Sequence, residues 1–175
     1  GLFYFVLNKE GSGEKYQIRG DGSVQRVAVF EVGSNAEGCV VDDQLDRLYV
    51  AEEESAIWRF SAGNPTDKPE RIARVSLFGR IQADIEGLTL YSTTTAEGRA
   101  SGYLIASSQG NDHFAVFDRV SNRYITSFSI GTGELDAVSG TDGIRAISTP
   151  LGEKYPLGVF IAHDNENMDN GSAGN

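Results

Sequence analysis

The chain has 175 residues, with 21 glycines against 4 prolines and a formal net charge of −10. That length supports one domain with a buried core. So acidic a surface excludes nucleic acid and anionic membranes as natural partners, and it attracts cations.

No long helical period is present. Short runs rich in Val, Ile, Phe, Tyr and Thr are separated by Gly, Asn, Asp and Ser clusters, which predicts an all-β fold. In chain order, "LFYFVLN", "KYQIRGD" and "RVAVFEV" read as three strands. Next come "EGCVV", "LYVAEE", "AIWRFSA" and "RIARVSL", then "EGLTLYS", "GYLIASS", "HFAVFDR" and "YITSFSI". The last pair is "DGIRAIS" and "LGVFIAHD". The single cysteine, Cys39, permits no internal disulfide and no cysteine-built zinc site. It is expected to be a small buried hydrophobe. No apolar stretch approaches the roughly 20 residues of a membrane helix, and no signal peptide is evident. The chain opens directly in a core-like strand, so it is expected to be a piece of a longer one.

These runs repeat. Three acid-Gly pairs, at Glu37, Glu86 and Asp142, each open an apolar run, and each is followed by a run ending in alanine at 51, 106 or 162. Each full unit has four strands, which is the pattern of a β-propeller blade. Complete blades are expected at 37–80 and 86–131, with partial blades at each end of a 1–169 domain and a disordered tail at 170–175. Two complete and two partial units do not close a ring, so the chain is expected to be about half of a longer propeller. The rival is a β-sandwich of similar hairpins.

First strands line a propeller's channel, so equivalent positions face one another. Glu37, Glu86 and Asp142 are equivalent, with Asp84 two residues before Glu86 and Asp136 six before Asp142. Beyond the B-strand alanines lie Glu52 and Glu53, then Ser107, Ser108 and Gln109, then His163 and Asp164, with Lys9 in the matching place after the first strand. Several carboxylates thus converge, and like charges at short range need compensation. Hard divalent cations supply it: Ca2+ takes six to eight oxygens in flexible geometry. Two histidines and one cysteine supply zinc poorly.

The blander readings are turn chemistry for the acid-Gly pairs and a solvated loop for "AEEES". In that loop the metal reading rests on Glu53, with Glu52 and Glu54 at the surface. Asp42, Asp43 and Asp46 are expected in an exposed hairpin without function. His113 and His163 are expected to make ordinary hydrogen bonds, and Trp58, Phe60, Phe114 and Phe117 to pack between blades. The stretch Asp164 to Asn167 is oxygen-rich enough to join a calcium site. No G-x-S-x-G, P-loop or H-E-x-x-H is present. A glycosidase pair would not need so many acids.

The motifs "DIEGLTLY", "YLIASSQGNDHFAVFDR", "TDGI" and "AEG" with "LYVAEEESAIWRFSA" resemble the β-propeller phytases, alkaline calcium-dependent enzymes. The resemblance runs from about Gly1 to Asp169. It implies the C-terminal half of a six-bladed propeller that hydrolyses phytate or calcium-phytate, using several calcium ions. It also implies a secreted or periplasmic bacterial location. By it, Glu37, Glu53, Asp84, Glu86 and Asp142 match ligands of active-site calciums. Asp136, Asp164 and Asn167 match ligands of structural ones. Lys9 and Gln109 match residues that meet the substrate. Other basic and tyrosine residues of the family's site fall in the missing N-terminal half, so this chain alone is expected to be inactive. The alternative is a non-enzymatic calcium-stabilised propeller that binds a partner or phosphorylated ligand.

Overall fold

The second run of each full unit is apolar over four successive positions, "LYVA" and "YLIA". A strand reads that way when both its faces are covered. A computed structural model describes residues 1–133, 136–166, 168–169 and 172–173, and in it both faces of these runs are buried apart from Tyr103, which is exposed. All regular elements are antiparallel strands apart from one 3-10 turn, Gln109–Asn111.

The first sheet has β1 (Leu2–Leu7), β2 (Ser12–Ile18) and β3 (Val24–Glu31) in that order. The second has β4 (Ala36–Asp42), β5 (Arg47–Glu52), β6 (Ala56–Ser61) and β7 (Glu70–Arg74). The third has β8 (Ile85–Thr94), β9 (Ala100–Ser108), β10 (His113–Asp118) and β11 (Tyr124–Phe128). A two-stranded sheet pairs β12 (Ile144–Ile147) with β13 (Val159–Ala162). A short ladder joins β14 (Met168–Asp169) to β15 (Ser172–Ala173). Each sheet is a meander of sequential neighbours, the arrangement that short turns allow.

The core lies between sheets, in three layers. Phe30, Val32, Leu48, Val50 and Phe60 join the first sheet to the second, with Phe5 and Trp58 at the margin. Tyr49, Ala51, Ile57, Leu104, Ala106 and Phe117 join the second to the third. Ile105, Phe114 and Ala146, with Phe160, join the third to the β12–β13 pair. Successive side chains of a strand point to opposite faces. That is why Val50 serves one layer and Ala51 the next, and likewise Ile105 and Ala106. Trp58, Phe60, Phe114 and Phe117 are packing residues, as expected.

Two buried charged contacts were not foreseen. Asp42, expected in an exposed hairpin, is buried, and both its oxygens accept from Arg119 at 2.6 Å across the seam between the second and third sheets. Asp43 and Asp46 are exposed, as expected. Lys15 is buried, donating to the carbonyls of Ala62 and Gly63 at 2.7 and 2.9 Å. Burial is tolerated because Asp42 and Arg119 are paired and Lys15 is hydrogen-bonded to two carbonyls, with its ammonium over the Phe3 ring. Cys39 is exposed on the edge strand β4, where burial had been expected.

Candidate metal centre

Two of the three acid-Gly pairs, Glu37-Gly38 and Glu86-Gly87, are β-bulges. Register between β4 and β5 shifts between Ala36 and Cys39, and between β8 and β9 it shifts between Ile85 and Leu88. Each bulge leaves an acid and a glycine outside the ladder and re-aims the acid. Turn chemistry is not what Gly38 and Gly87 supply. A Cβ on Gly38 would stand 1.9 Å from the Glu86 carbonyl oxygen, and one on Gly87 would stand 2.8 Å from that of Asp142. Only glycine lets the backbones of successive sheets approach so closely. The close approach stacks Glu37, Glu86 and Asp142 beside one another.

Carboxylate oxygens of Glu53, Asp84 and Glu86 lie within 4.8 Å of one another, all three residues half-buried. Asp84 precedes β8 and Glu86 sits in its bulge, so simple strand alternation is not what brings them together. Backbone bonds fix the approach. Glu53 N–H donates to the Asn35 carbonyl at 3.0 Å, Ile85 N–H to Glu53 at 2.9 Å, and Gln109 N–H to Asp84 at 2.9 Å. Burial pushes the Glu86 carboxyl up to about 7, helped by the negative charges of Glu37, Glu53, Asp142 and Asp84.

Glu37 is paired. Lys9 Nζ lies 3.1 Å from its Oε1, and Asn35 donates to the same oxygen at 3.0 Å. Both partners hold its carboxyl below the usual range, Lys9 the more strongly. The Lys9 side chain is 82% exposed, so it remains open to a ligand. Gln109 Nε2 donates to Asp142 Oδ1 at 2.7 Å, and His163 Nδ1 lies 3.7 Å from Asp142 Oδ2. Gln109 therefore orients an acid of the site.

The group of three does not include Asp136 or Asp164. Asp164 Oδ1 accepts from Ser139 N–H at 3.0 Å. Asp136 is half-buried in the same β11–β12 connection. Asn167 lies outside the described residues. Glu54 is exposed as expected, but Glu52 is buried. Burial pushes its carboxyl up, and donors from Trp58 (2.7 Å) and Ser34 (2.8 Å) outweigh that and leave it lowered.

Sequence reasoning missed Asn35. Its Nδ2 donates to both Glu37 and Glu53, and its Oδ1 is buried with no hydrogen-bond partner. A signal existed: Asn35 stands two residues before Glu37, as Asp84 stands two before Glu86. The neutral amide at that repeat position bridges two carboxylates that would otherwise only repel.

The donors fit a hard cation. They are all oxygens, they converge from two sheets, and one of them, half-buried among other acids, takes up a proton near neutrality.

The fold and site thus define an all-β protein of stacked antiparallel sheets with a carboxylate-rich centre where the sheets meet. The chain belongs to the Phytase family, whose model matches residues 1–175. It is 43% identical over 182 residues to the 3-phytase of Bacillus subtilis (strain 168), covering 100% of this chain and 47% of that protein. The chain therefore spans about half the length of this curated relative. A solved structure from Bacteroides uniformis ATCC 8492, a candidate 6-phosphogluconolactonase, has a TM-score of 0.48 at 13% identity. It covers 98% of this chain and 51% of that one.

Proposed function

We propose that the protein to which this chain belongs hydrolyses phosphomonoesters of phytate with the help of several Ca2+ ions. The chain is the C-terminal half of a six-bladed propeller, with blades at 37–80 and 86–131 and partial blades at either end. The observation that carries the reading is the convergence of Glu53, Asp84 and Glu86, with Glu37 and Asp142 as the next charges, in a chain of the Phytase family. The stacked bulges support the ring, because each first strand meets the next at a glycine.

Glu37, Glu53, Asp84, Glu86 and Asp142 would hold the active-site ions, and Asp136, Asp164 and Asn167 tighter structural ones. Bound Ca2+ would reverse the local field, polarise P–O bonds and lower the pKa of a coordinated water. The protein's own part is alignment. Glu86 must lose its proton for the full anionic cluster to form, and Asn35 and Lys9 hold Glu37 while it does. Lys9, exposed at the margin, offers a positive charge to a substrate phosphate. Gln109 keeps Asp142 turned toward the cluster.

The test is phosphate release from phytate by the full-length protein at neutral to alkaline pH, with and without a chelator. Activity that survives the chelator, or inactivity with Ca2+ present, would sink the reading. A second reading concerns this chain alone. Lys9 is the one cation paired to the cluster among the described residues, so the isolated chain binds Ca2+ without turnover. An extracellular or periplasmic site of action accords with a calcium requirement, and fractionation of the source cells tests it.

A further inference from the structure

We propose that the seam between the second and third sheets carries a metal-independent binding site for a phosphate monoester. A cleft of about 530 Å3 opens there, and Ile72, Arg74, Arg80, Phe117, Arg123 and Tyr124 contribute to its lining. That volume falls in the range typical of small-molecule sites. No carboxylate lines it. In a chain of net charge −10, three guanidiniums around one cleft run against the overall field.

The other arginines of this seam are occupied. Arg119 is paired with Asp42, and Arg59 with Glu70. Arg47 donates to the carbonyls of Arg119 and Val120 at 2.8 and 2.9 Å. Arg74, Arg80 and Arg123 have no carboxylate within ion-pair distance among the described residues. Asp118, whose carboxyl Arg123 influences weakly, is already held by the Ser121 N–H and hydroxyl, both at 2.7 Å.

Geometry selects the ligand. The Arg80 guanidinium lies 4.4 Å from the centre of the Tyr124 ring. Stacking of that kind orients the planar group and leaves its N–H edge free. Guanidiniums bind phosphate through paired N–H bonds, and several together suit a dianion better than a carboxylate. Ile72 and the Tyr124 ring, both partly exposed, give the cleft an apolar margin, which favours an ester with a carbon body over the bare ion.

The site can be tested on this chain with a chelator present, which silences the metal centre and separates the two proposals. Glucose 1-phosphate, inorganic phosphate and acetate are titrated by calorimetry or by NMR. Saturable binding is expected in the order ester, then phosphate, then acetate. Arg80→Gln with Arg123→Gln is expected to weaken the ester at least tenfold, with an unchanged melting curve because both side chains are exposed. Absence of saturable ester binding overturns the site. So does ester binding that the double variant leaves intact. Phosphate binding as tightly as the ester, or acetate matching either, overturns the ligand assignment.

Discussion

Glu86→Gln separates the electrostatics of the metal centre from its packing. The side chain keeps its shape and loses its charge. In the folded protein the Glu86 carboxyl titrates at about 7, against an ordinary value of 4.5. At 1.36 kcal/mol per pH unit, that difference is about 3 kcal/mol. The group is only half-buried, so solvent screening reduces the expectation to about 1–2 kcal/mol. Its sign follows from proton binding. The folded carboxyl holds its proton at a pH where the unfolded one has lost it. Stability is therefore fully present below about pH 4.5 and is lost as the pH rises through about 7. Glutamine never ionises. With a chelator at pH 8, the variant is expected to melt higher than the wild type by roughly 2–8 °C. The gap should close as the pH falls toward 4.5. With excess Ca2+ the order reverses, because the wild type gains RT ln(1 + [L]/Kd), about 2.7 kcal/mol at a hundredfold excess, and the variant gains less. Thermal unfolding across pH, with and without Ca2+, reads all of this. A variant no more stable than wild type at pH 8 with chelator would refute the claim that burial and the neighbouring acids penalise the ionised Glu86.

Gly38→Ala places a methyl 1.9 Å from the Glu86 carbonyl oxygen, whereas a Cβ on Gly143 meets nothing within 4 Å. Denaturant unfolding should show a cost of about 1–3 kcal/mol for the first and little for Gly143→Ala. Asp42→Ala leaves the buried Arg119 guanidinium without its acid and should cost about 3–5 kcal/mol, while Asp42→Ala with Arg119→Met should be much milder. Asn35→Leu removes both donors to Glu37 and Glu53. Calorimetry should show Ca2+ affinity falling by roughly 10–100-fold, the usual cost of losing a partner of the ligating groups.

Much of the fold was legible because strands repeat locally. "LYVA" and "YLIA" are apolar at every position, and the structure buries both faces except at Tyr103. The site was legible in outline because the acid-Gly pairs repeat in register, and they do meet at the junction of sheets. Asn35 was passed over because a lone Asn in "GSNAEG" reads as a turn residue until the register with Asp84 is noticed. Asp42 and Glu52 were misplaced because an acid in a polar run ordinarily faces water. Nothing near Asp42 in sequence announces Arg119, 77 residues away.

The sequence by itself determined the strands, their order within each sheet and the residue types that gather at the metal centre. Those follow from side-chain periodicity and turn chemistry, which act over a few residues. Only the tertiary structure decided that Gly38 and Gly87 serve close backbone approach and that Glu37 and Glu86 are aimed by bulges instead of strand alternation. It alone also decided which arginines are spent on buried acids and which line an open cleft. Those outcomes depend on where one sheet's backbone lies against the next, and contact across a seam leaves no local pattern in the chain.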